Sequence, residues 1–537
     1  MRRRHGFLPR LTAAVALAGA VGAAPAAAQV SQTERNALIE LFQSTGGLLW
    51  TDHTNWLGAE GTECTWYGVT CSASAPYTVL TLNLGNNNLT GTIPAEIGDL
   101  GSLQSLALYD NAIGGAIPEQ IGNLTGLSYL NLDGNDLTGT IPSTFDNLVH
   151  LDSLDLGGNL LSGPLPTVVY RLPALGRLDL AGNAFTGPIG PAIGDLTNLQ
   201  SLLLSDNDLT GTIPDEIWSL GNLTALDLAG NHLVGPLSSL LGNLGPDFMG
   251  LNLGENDLTG PIPTELCSLT GMQYLKLGGN RLDGEIPSCI GQLDQLIALD
   301  LAGNALGGFL PQSLGDLTGV RYLLLDGNRF TGQVPASFVH LTDLMTLTLE
   351  YNALWSGSFA LSQFLQAHDP GWATTQTLAP DGLDDVSRTR CSVVLQWDPV
   401  TYDQDPGGYE VWYATDSGGP YTRFAVRSKA KNLTTLRVTG LASMTTYYFA
   451  VSTFTDPHPS NRNLVESLPG DPFAATTGVF GEGENTDMDG DPAPSHADIA
   501  YLIFYLFDDH PIFSADANCD GKADAADLAT LDRLVYP

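Results

Sequence analysis

The residues with the clearest chemical potential lie near the end of the chain, where acidic side chains recur at alternate positions. Residues 516–527 read DANCDGKADAAD, with oxygen ligands at loop positions 1, 3, 5, 9 and 12 and a glycine at position 6. Alternate side chains can converge on a hard cation, the glycine permits a sharp turn, and position 7 lends its carbonyl oxygen. We therefore expect a Ca²⁺ site formed by Asp516, Asn518, Asp520, Lys522, Asp524 and Asp527.

A second acidic loop precedes the first and keeps the same spacing. Its candidate ligands are Asp487, Asp489, Asp491, Ser495 and Asp498. Pro492 stands where the turn glycine belongs, so both a second calcium site and a loop without metal stay open. An acidic disordered tail is the other interpretation of residues 481–537, but their apolar content argues against it.

The aspartate at position 12 of the 516–527 loop departs from the glutamate of an EF-hand and resembles a dockerin. The resemblance implies a small helical, calcium-binding module over residues 487–537, after a linker at 478–486. It also implies attachment to a cohesin-like or surface partner. Apolar runs at 499–507 and 528–534 suit its two helices.

The rest of the chain shows no catalytic pattern. The sequence contains no H-E-x-x-H, G-x-S-x-G or P-loop lysine motif. The acidic residues lie at variable positions of the repeats or in the calcium loops, so no carboxylate pair stands out as a glycosidase site. The formal charge of −37 disfavours nucleic acid as a partner, because phosphate binding needs a basic surface. We therefore expect a binding protein and not an enzyme.

The first residues carry an export pattern. Four arginines precede an apolar run at 11–24, which ends in Ala26-Ala27-Ala28. This order is typical of a signal peptide cleaved after residue 28. No later stretch has the apolar length of a spanning helix. The expected location is extracellular, either free or held at the cell surface.

The elements that must position any binding residues form an internal repeat. The pattern L-x-L-x-x-N recurs every 24 residues, with a single step of 25, and places asparagines at 87, 111, 135, 159, 183, 207, 231, 256, 280, 304, 328 and 352. Leucines spaced by two point to one face of a strand, so stacked units predict a parallel sheet over a leucine core. The asparagine side chains can satisfy buried turn amides.

Each asparagine is followed by a G-x-[ILV]-P segment, in which glycine permits a tight turn and proline ends regular hydrogen bonding. Gly190 and Ser238 replace two of the prolines, and the twelfth unit loses the segment at 354–356.

These units resemble the plant-type leucine-rich repeats of receptor kinases and polygalacturonase inhibitors, and their bacterial relatives. The resemblance implies an α/β-type solenoid of parallel strands with an irregular convex side, which binds ligands on its concave strand face. It also implies an N-terminal cap at 29–78 with Cys64 and Cys71 bridged, twelve repeats at 79–354, and a C-terminal cap at 355–376. Phe359, Leu361, Phe364 and Leu365 predict a helix that covers the last coil.

Strand positions between the repeated leucines form the candidate binding face. Tyrosines beside charged side chains on a rigid scaffold could recognise a protein, peptide or polysaccharide. A solvated face without a ligand is the alternative. The candidate residues are Tyr129, Asp155, Arg177, Asp179, Asp227, Tyr274, Lys276, Asp300 and Tyr322.

Three further cysteine and charge features accompany the repeats. Cys267 and Cys289 fall in adjacent coils, where a lateral disulfide and two buried thiols are both possible. Cys391 and Cys519 have no evident partner, which leaves an intermolecular bridge open. Basic residues cluster at 423–437, either as a dock for an acidic partner or as a solvated hairpin.

Beyond residue 377 the pattern changes to alternating strands. Leu441, Thr445, Tyr447 and Val451 resemble the L-x-x-x-T-x-Y-x-x-x-V signature of fibronectin type III domains. The resemblance implies an all-β sandwich over residues 377–477. Three functions remain open: a secreted recognition protein, a structural or adhesive spacer at the cell surface, and a glycan-processing enzyme or accessory of a polysaccharide-degrading assembly.

Overall fold

The computed structural model describes residues 30–389 and 391–477. The described chain divides into two compact units. The first holds residues 30–306, 311–325 and 335–347, and the second holds residues 307–310, 326–334 and 348–477. The predicted signal peptide, the linker at 478–486 and both calcium loops lie outside the described residues.

One short strand per coil builds a thirteen-stranded sheet, which we call the long sheet. Its first two strands are antiparallel, and the pairs from Val79–Asn83 to Tyr322–Leu324 are parallel with leucine beside leucine. The predicted parallel leucine-cored sheet is thereby confirmed. Its strands are Val69–Cys71, Val79–Asn83, Ser105–Ala107, Tyr129–Asn131, Ser153–Asp155, Arg177–Asp179, Ser201–Leu203, Ala225–Asp227, Gly250–Asn252, Tyr274–Lys276, Ala298–Asp300, Tyr322–Leu324 and Thr346–Thr348.

The residues after each asparagine of the L-x-L-x-x-N pattern form two further parallel sheets. The nine-stranded sheet comprises Thr90–Thr92, Ala112–Ala116, Asp136–Gly139, Leu160–Pro164, Ala184–Gly187, Asp208–Thr212, His232–Pro236, Asp257–Pro261 and Arg281–Asp283. The three-stranded sheet, which belongs to the second unit, comprises Gly307–Phe309, Arg329–Gln333 and Ala353–Trp355. Sequence reasoning predicted a turn in this region but not a second set of strands.

A 3-10 helix follows each of these strands except Ala353–Trp355, usually after the proline. The 3-10 helices of the described chain are Gly47–Leu49, Glu63–Thr65, Ala95–Asp99, Glu119–Asn123, Ser143–Asn147, Thr167–Arg171, Pro191–Asp195, Asp215–Ser219, Ser239–Leu244, Thr264–Ser268, Ile290–Gln292, Gln312–Asp316, Ala336–His340 and Trp372–Thr374. Where Gly190 replaces proline, its N–H donates to the Tyr170 hydroxyl at 3.2 Å. Where Ser238 replaces proline, its hydroxyl accepts from Leu240 N–H at 3.4 Å. The restored N–H thus has a partner at Gly190, whereas Ser238 caps the start of the following 3-10 helix.

The asparagine column forms a hydrogen-bonded ladder. Asn135 Nδ2 donates to the carbonyls of Leu108 and Leu132, each at 3.0 Å, and its Oδ1 accepts from Ile113 N–H at 3.0 Å. One buried side chain thus connects three segments of adjacent coils, because an amide both donates and accepts.

The residue before each ladder asparagine adopts a left-handed backbone in all twelve coils. Glycine, asparagine and aspartate tolerate this conformation, and they fill most of the column. Tyr351, with φ of 57°, is its one aromatic member. The column is Asn86, Asp110, Gly134, Gly158, Gly182, Asp206, Gly230, Glu255, Gly279, Gly303, Gly327 and Tyr351.

The N-terminal end is covered by helix α1, Gln32–Ser44, and by a cluster of aromatic rings. Ser31 and Glu34 form a capping box at its start, and Glu34 Oε1 also accepts from Val79 N–H at 3.0 Å. The rings of Trp50 and Trp56 pack 4.9 Å apart beside Phe42. A disulfide joins Cys64 to Cys71 in this cap, and a second joins Cys267 to Cys289 in adjacent coils.

The last coil is followed by helix α2, Phe359–His368, which buries Leu361 and Leu365. Phe359 is 79% exposed, so the expectation that it covers the coil is wrong. Asp369 instead reaches the coil, where its Oδ2 accepts from Leu349 N–H at 2.8 Å.

Residues 384–476 form two antiparallel sheets around a shared core. The first contains Asp384–Arg388, Val393–Gln396 and Thr435–Val438. The second contains Thr422–Arg423, Gly407–Ala414, Thr446–Thr455, Val465–Glu466 and Phe473–Thr476. Leu395, Val411 and Phe449 meet in the core. Tyr447 accepts from Ala442 N–H through its hydroxyl at 2.9 Å. The region is all-β, and its assignment to the fibronectin type III family stays a prediction.

Candidate functional site

The outward positions of the long sheet bring the predicted binding residues into register. Asp155 pairs with Asp179 and Asn131 on the neighbouring strands, while Tyr274 pairs with Ala298, which pairs with Tyr322. Parallel strands lie about 4.8 Å apart, so equivalent residues of adjacent coils are neighbours on this face. The nine predicted residues occupy two columns, and all are half-buried. We call this surface the strand face.

Most aspartate and asparagine side chains of the strand face also have a structural role. Each accepts a hydrogen bond from the N–H two residues ahead at 3.0 to 3.4 Å, which holds the turn that leaves the strand. Sequence reasoning assigned this column to binding alone and missed the turn bond. The residues that make it include Asn131, Asp155, Asp179, Asp227, Asn252 and Asp300.

An acidic cluster surrounds Arg177. The Arg177 Nη2 atom lies 2.7 Å from Asp179 Oδ2 and 3.8 Å from Asp155 Oδ2. Burial raises the pKa of Asp155 to about 7, with further increases from Asp179 and Asp133, while Arg177 and the Gly157 N–H act against them. Burial disfavours the charged carboxylate, and the two neighbouring carboxylates repel it further.

A second charged group lies farther along the same columns. Burial raises the pKa of Asp227 to about 6, opposed by the Ala229 N–H, the Asn252 amide and Lys276. Burial also lowers the pKa of Lys276, against the attraction of Asp227 and Asp300. Between the two charged groups stands Leu203, which is paired with Asp179 and Asp227 and gives the face an apolar centre.

The tyrosines add recognition surface to both ends of the face. Tyr129 accepts from Asn131 Nδ2 through its hydroxyl at 3.1 Å. Tyr109 was not predicted, although it also lies on this face. A Cβ atom at Gly85 would come within 2.4 Å of the Tyr109 ring, so the ring packs against that glycine. Tyr109 stands in a column that is otherwise mostly glycine, alanine or serine, and this contrast is a signal in the sequence.

The basic cluster at 423–437 is largely engaged within the chain. Arg423 lies 3.2 Å from buried Glu410, and Arg427 also pairs with Glu410. The Lys431 ammonium lies 4.6 Å from the Tyr402 ring centre. Burial lowers the pKa of Lys431 to about 8, against the carboxylates of Asp405, Asp403 and Asp456. Arg423 and Arg427 thus stabilise a buried carboxylate.

Metal binding was predicted only for residues 487–527, which lie outside the described part of the chain. Within residues 30–389 and 391–477, no three acidic, histidine or cysteine side chains are grouped as a metal site requires. The same residues contain no helix of sufficient length and hydropathy to cross a bilayer.

Comparison with known proteins identifies the repeats. One Leucine rich repeat family profile matches residues 125–185 and 191–233, and a second matches residues 78–100 and 271–293. No curated protein sequence matches the chain.

Several solved structures are similar to part of the chain. A TDR receptor is 31% identical over 55% of this chain and 50% of its own, with a TM-score of 0.50. The plant peptide hormone receptor RGFR1, solved in complex with RGF2, is 33% identical over 51% of this chain and 47% of its own, with a TM-score of 0.49. The ectodomain of an Arabidopsis thaliana membrane receptor kinase, GASSHO1/SCHENGEN3, is 30% identical over 59% of this chain and 47% of its own, with a TM-score of 0.48.

The chain spans about half the length of each of these receptors. The family profiles agree with the asparagine ladder and the parallel leucine strands. We conclude that the coils at residues 78–100, 125–185, 191–233 and 271–293 are leucine-rich repeats.

Proposed function

We propose that this chain is an extracellular recognition protein that binds a peptide, or an exposed segment of a protein, across the strand face. The face is rigid, because the ladder and turn bonds hold its strands in register. It offers tyrosines, carboxylates and an apolar centre, a composition suited to recognition. The similar TDR receptor favours recognition over catalysis.

The observation that carries the proposal is the charge imbalance around Asp155. The pKa of this carboxyl rises to about 7 because of burial and the nearby Asp179 and Asp133. A basic side chain from a ligand would favour the ionised carboxylate and relieve the repulsion. We therefore propose that the ligand contributes a lysine or arginine to this cluster.

Peptide selection tests this proposal. A library of random dodecapeptides displayed on phage is selected on the immobilised full-length protein. We expect enrichment of lysine and arginine, and weaker binding of the selected peptides at high salt. In the double variant Asp155→Asn/Asp179→Asn, affinity should fall at least about tenfold, the change that 1.4 kcal/mol produces.

The matched control removes the same charge elsewhere. Asp195 and Asp215 are exposed on 3-10 helices away from the strand face. The double variant Asp195→Asn/Asp215→Asn should bind as the wild type does. Equal losses of peptide affinity in both double variants would show that the attraction comes from the overall charge of the protein. Selection of peptides without basic residues would contradict the proposal.

Two other functions predict different results. A structural or adhesive spacer requires no ligand, so replacing Tyr129, Tyr274 and Tyr322 with alanine would leave every interaction unchanged. An accessory of a polysaccharide-degrading assembly would retain a glycan on the strand face. Hydrolysis of a glycan by the purified protein would contradict the non-catalytic proposal.

We further propose that the chain is exported and held in place by its C-terminal end. The export pattern at 1–28 and the two acidic loops support this part of the proposal. A calcium-stabilised dockerin-like module would attach the protein to a cohesin-like or surface partner. A pull-down from secreted and envelope fractions, with and without calcium, tests it, and the absence of a calcium-dependent partner would count against it.

A further inference from the structure

Three large aromatic side chains are exposed around the three-stranded sheet of the second unit. Phe309 is 61% exposed, Trp355 is 45% exposed and Phe359 is 79% exposed. Phe309 and Trp355 belong to the two outer strands of this sheet, and Phe359 begins helix α2 four residues after Trp355. We call these three residues the aromatic platform.

The repeat does not require aromatic residues at these positions. In the other coils the place of Phe309 is filled by threonine, alanine, proline, glutamate or glutamine. The place of Trp355 is filled by threonine, serine, glycine, valine or aspartate. Because small or polar residues serve the same backbone positions elsewhere, the platform is an addition to the fold and not a part of its core.

The Phe309 ring lies against Gly332 on the middle strand of the sheet. A Cβ atom at Gly332 on the middle strand would come within 2.6 Å of this ring, so only glycine leaves room for it. Gly332 has φ of 84°, which glycine adopts without strain. Phe309 nevertheless stays 61% exposed, so its ring is accessible to a ligand.

Uncharged polar residues separate the two sheet-borne rings. Phe309 pairs with Thr331 and Trp355 pairs with Gln333, both on the middle strand. From the usual strand spacing and rise, the backbones of Phe309 and Trp355 are about 12 Å apart. Ring faces alternating with hydroxyl and amide groups match a polysaccharide, whose pyranose rings present apolar C–H faces and hydroxyl edges.

The exposed area is too small for a stable protein partner. Aromatic side chains present about 150 to 250 Å² each, so the exposed fractions leave on the order of 400 Å² for the platform. A standard protein interface buries about 800 Å² on each partner. A sugar ring, in contrast, can stack on a single aromatic side chain. The platform offers three such side chains, each available to a different sugar ring.

We propose that the aromatic platform is a second binding site, distinct from the strand face, for an extended neutral polysaccharide of hexopyranoses with equatorial hydroxyls. The sugar rings stack on Phe309, Trp355 and Phe359, and their hydroxyls hydrogen-bond to Thr331 and Gln333.

Retention on microcrystalline cellulose and titration with cellohexaose test this site in the full-length protein. The wild type should be retained and should bind the hexasaccharide. Trp355→Ala should weaken binding about tenfold, the change expected from loss of one aromatic contact. Phe359→Ala should also weaken it, and the high exposure of Phe359 makes this variant safe for folding. Trp355→Phe keeps a ring and should retain most of the affinity.

Leu160→Ala is the matched control, because Leu160 is 45% exposed on the nine-stranded sheet. It should bind cellulose and cellohexaose as the wild type does. The proposal is overturned if the wild type binds neither probe, or if Trp355→Ala and Phe359→Ala leave binding unchanged. It is also overturned if these variants abolish self-association in sedimentation, since a second copy would then be the occupant.

Discussion

Gln376 accepts a hydrogen bond from Leu354 N–H through its Oε1 atom at 2.9 Å. One coil earlier, Asn352 accepts from Phe330 N–H in the same way at 3.0 Å. Gln376 lies 24 residues after Asn352 and so occupies a thirteenth position of the ladder. Its Nε2 also donates to Leu349 O at 2.8 Å. The cap therefore continues the ladder with a longer amide after the leucine repeat has ended.

Replacing Gln376 with alanine should loosen the last coil. The change leaves the buried N–H of Leu354 without its partner, which costs about 1 to 3 kcal/mol. The carbonyl of Leu349 loses one of its two hydrogen bonds and keeps the one from Asn352 Nδ2 at 3.1 Å. Hydrogen exchange measured by mass spectrometry should become faster in peptides covering 349–356 and stay unchanged in coils near residue 150. Gln366→Ala, at an exposed site, is the control. Unchanged exchange at 349–356 would contradict the role of Gln376.

Asn159→Ala should destabilise the repeat array at an interior coil. The Asn159 Nδ2 atom donates to three carbonyls at 2.9 to 3.1 Å, and its Oδ1 accepts from Leu137 N–H at 3.0 Å. The three carbonyls each keep a second hydrogen bond in the variant. The buried Leu137 N–H is left without its partner, so we expect a loss of about 1 to 3 kcal/mol. The thermal midpoint by circular dichroism measures it. Asn198→Ala removes an exposed asparagine and should shift the midpoint little, so similar shifts in both variants would refute the prediction.

Asp155→Asn should stabilise the protein at neutral and higher pH. Asn131 makes the same turn bond in the adjacent coil, so the amide can replace the carboxylate. The folded-state pKa of Asp155 is raised from 3.8 to about 7, so its favourable contribution is complete below pH 3.8 and is lost as the pH rises to 7. The gain in the variant should therefore grow across that range, reaching on the order of 1 kcal/mol or more.

Thermal midpoints of both proteins between pH 4 and pH 8 test this dependence. Asp215→Asn, at an exposed site, should show a small difference that does not grow with pH. A variant that is less stable than the wild type at pH 8 would show that the pairing of Asp155 with Arg177 outweighs the repulsion.

Calcium should bind the 516–527 loop in the full-length protein. Isothermal titration should show binding that Asp516→Ala and Asp520→Ala weaken at least about tenfold, because each removes a direct oxygen ligand. Asp532→Ala changes the same charge outside the loop and should bind normally. Absence of calcium binding by the wild type would exclude the site.

The sequence by itself predicted the repeat architecture and the residues of the strand face. A 24-residue period with leucines two apart leaves few options, because the leucines must share one buried face and the asparagines must recur at one turn. The nine predicted residues do share that face. Tyr109 escaped because its column, two residues after the outward strand position, was not considered.

Other features depended on contacts between coils, which no single repeat encodes. The turn bonds of Asp155 and its neighbours, the Tyr170 partner of Gly190 and the exposure of Phe359 were decided by the tertiary structure. So was the raised pKa of Asp155, since it requires burial together with carboxylates 22 and 24 residues away. Periodicity determines which residues recur at one position, whereas packing determines what each side chain touches.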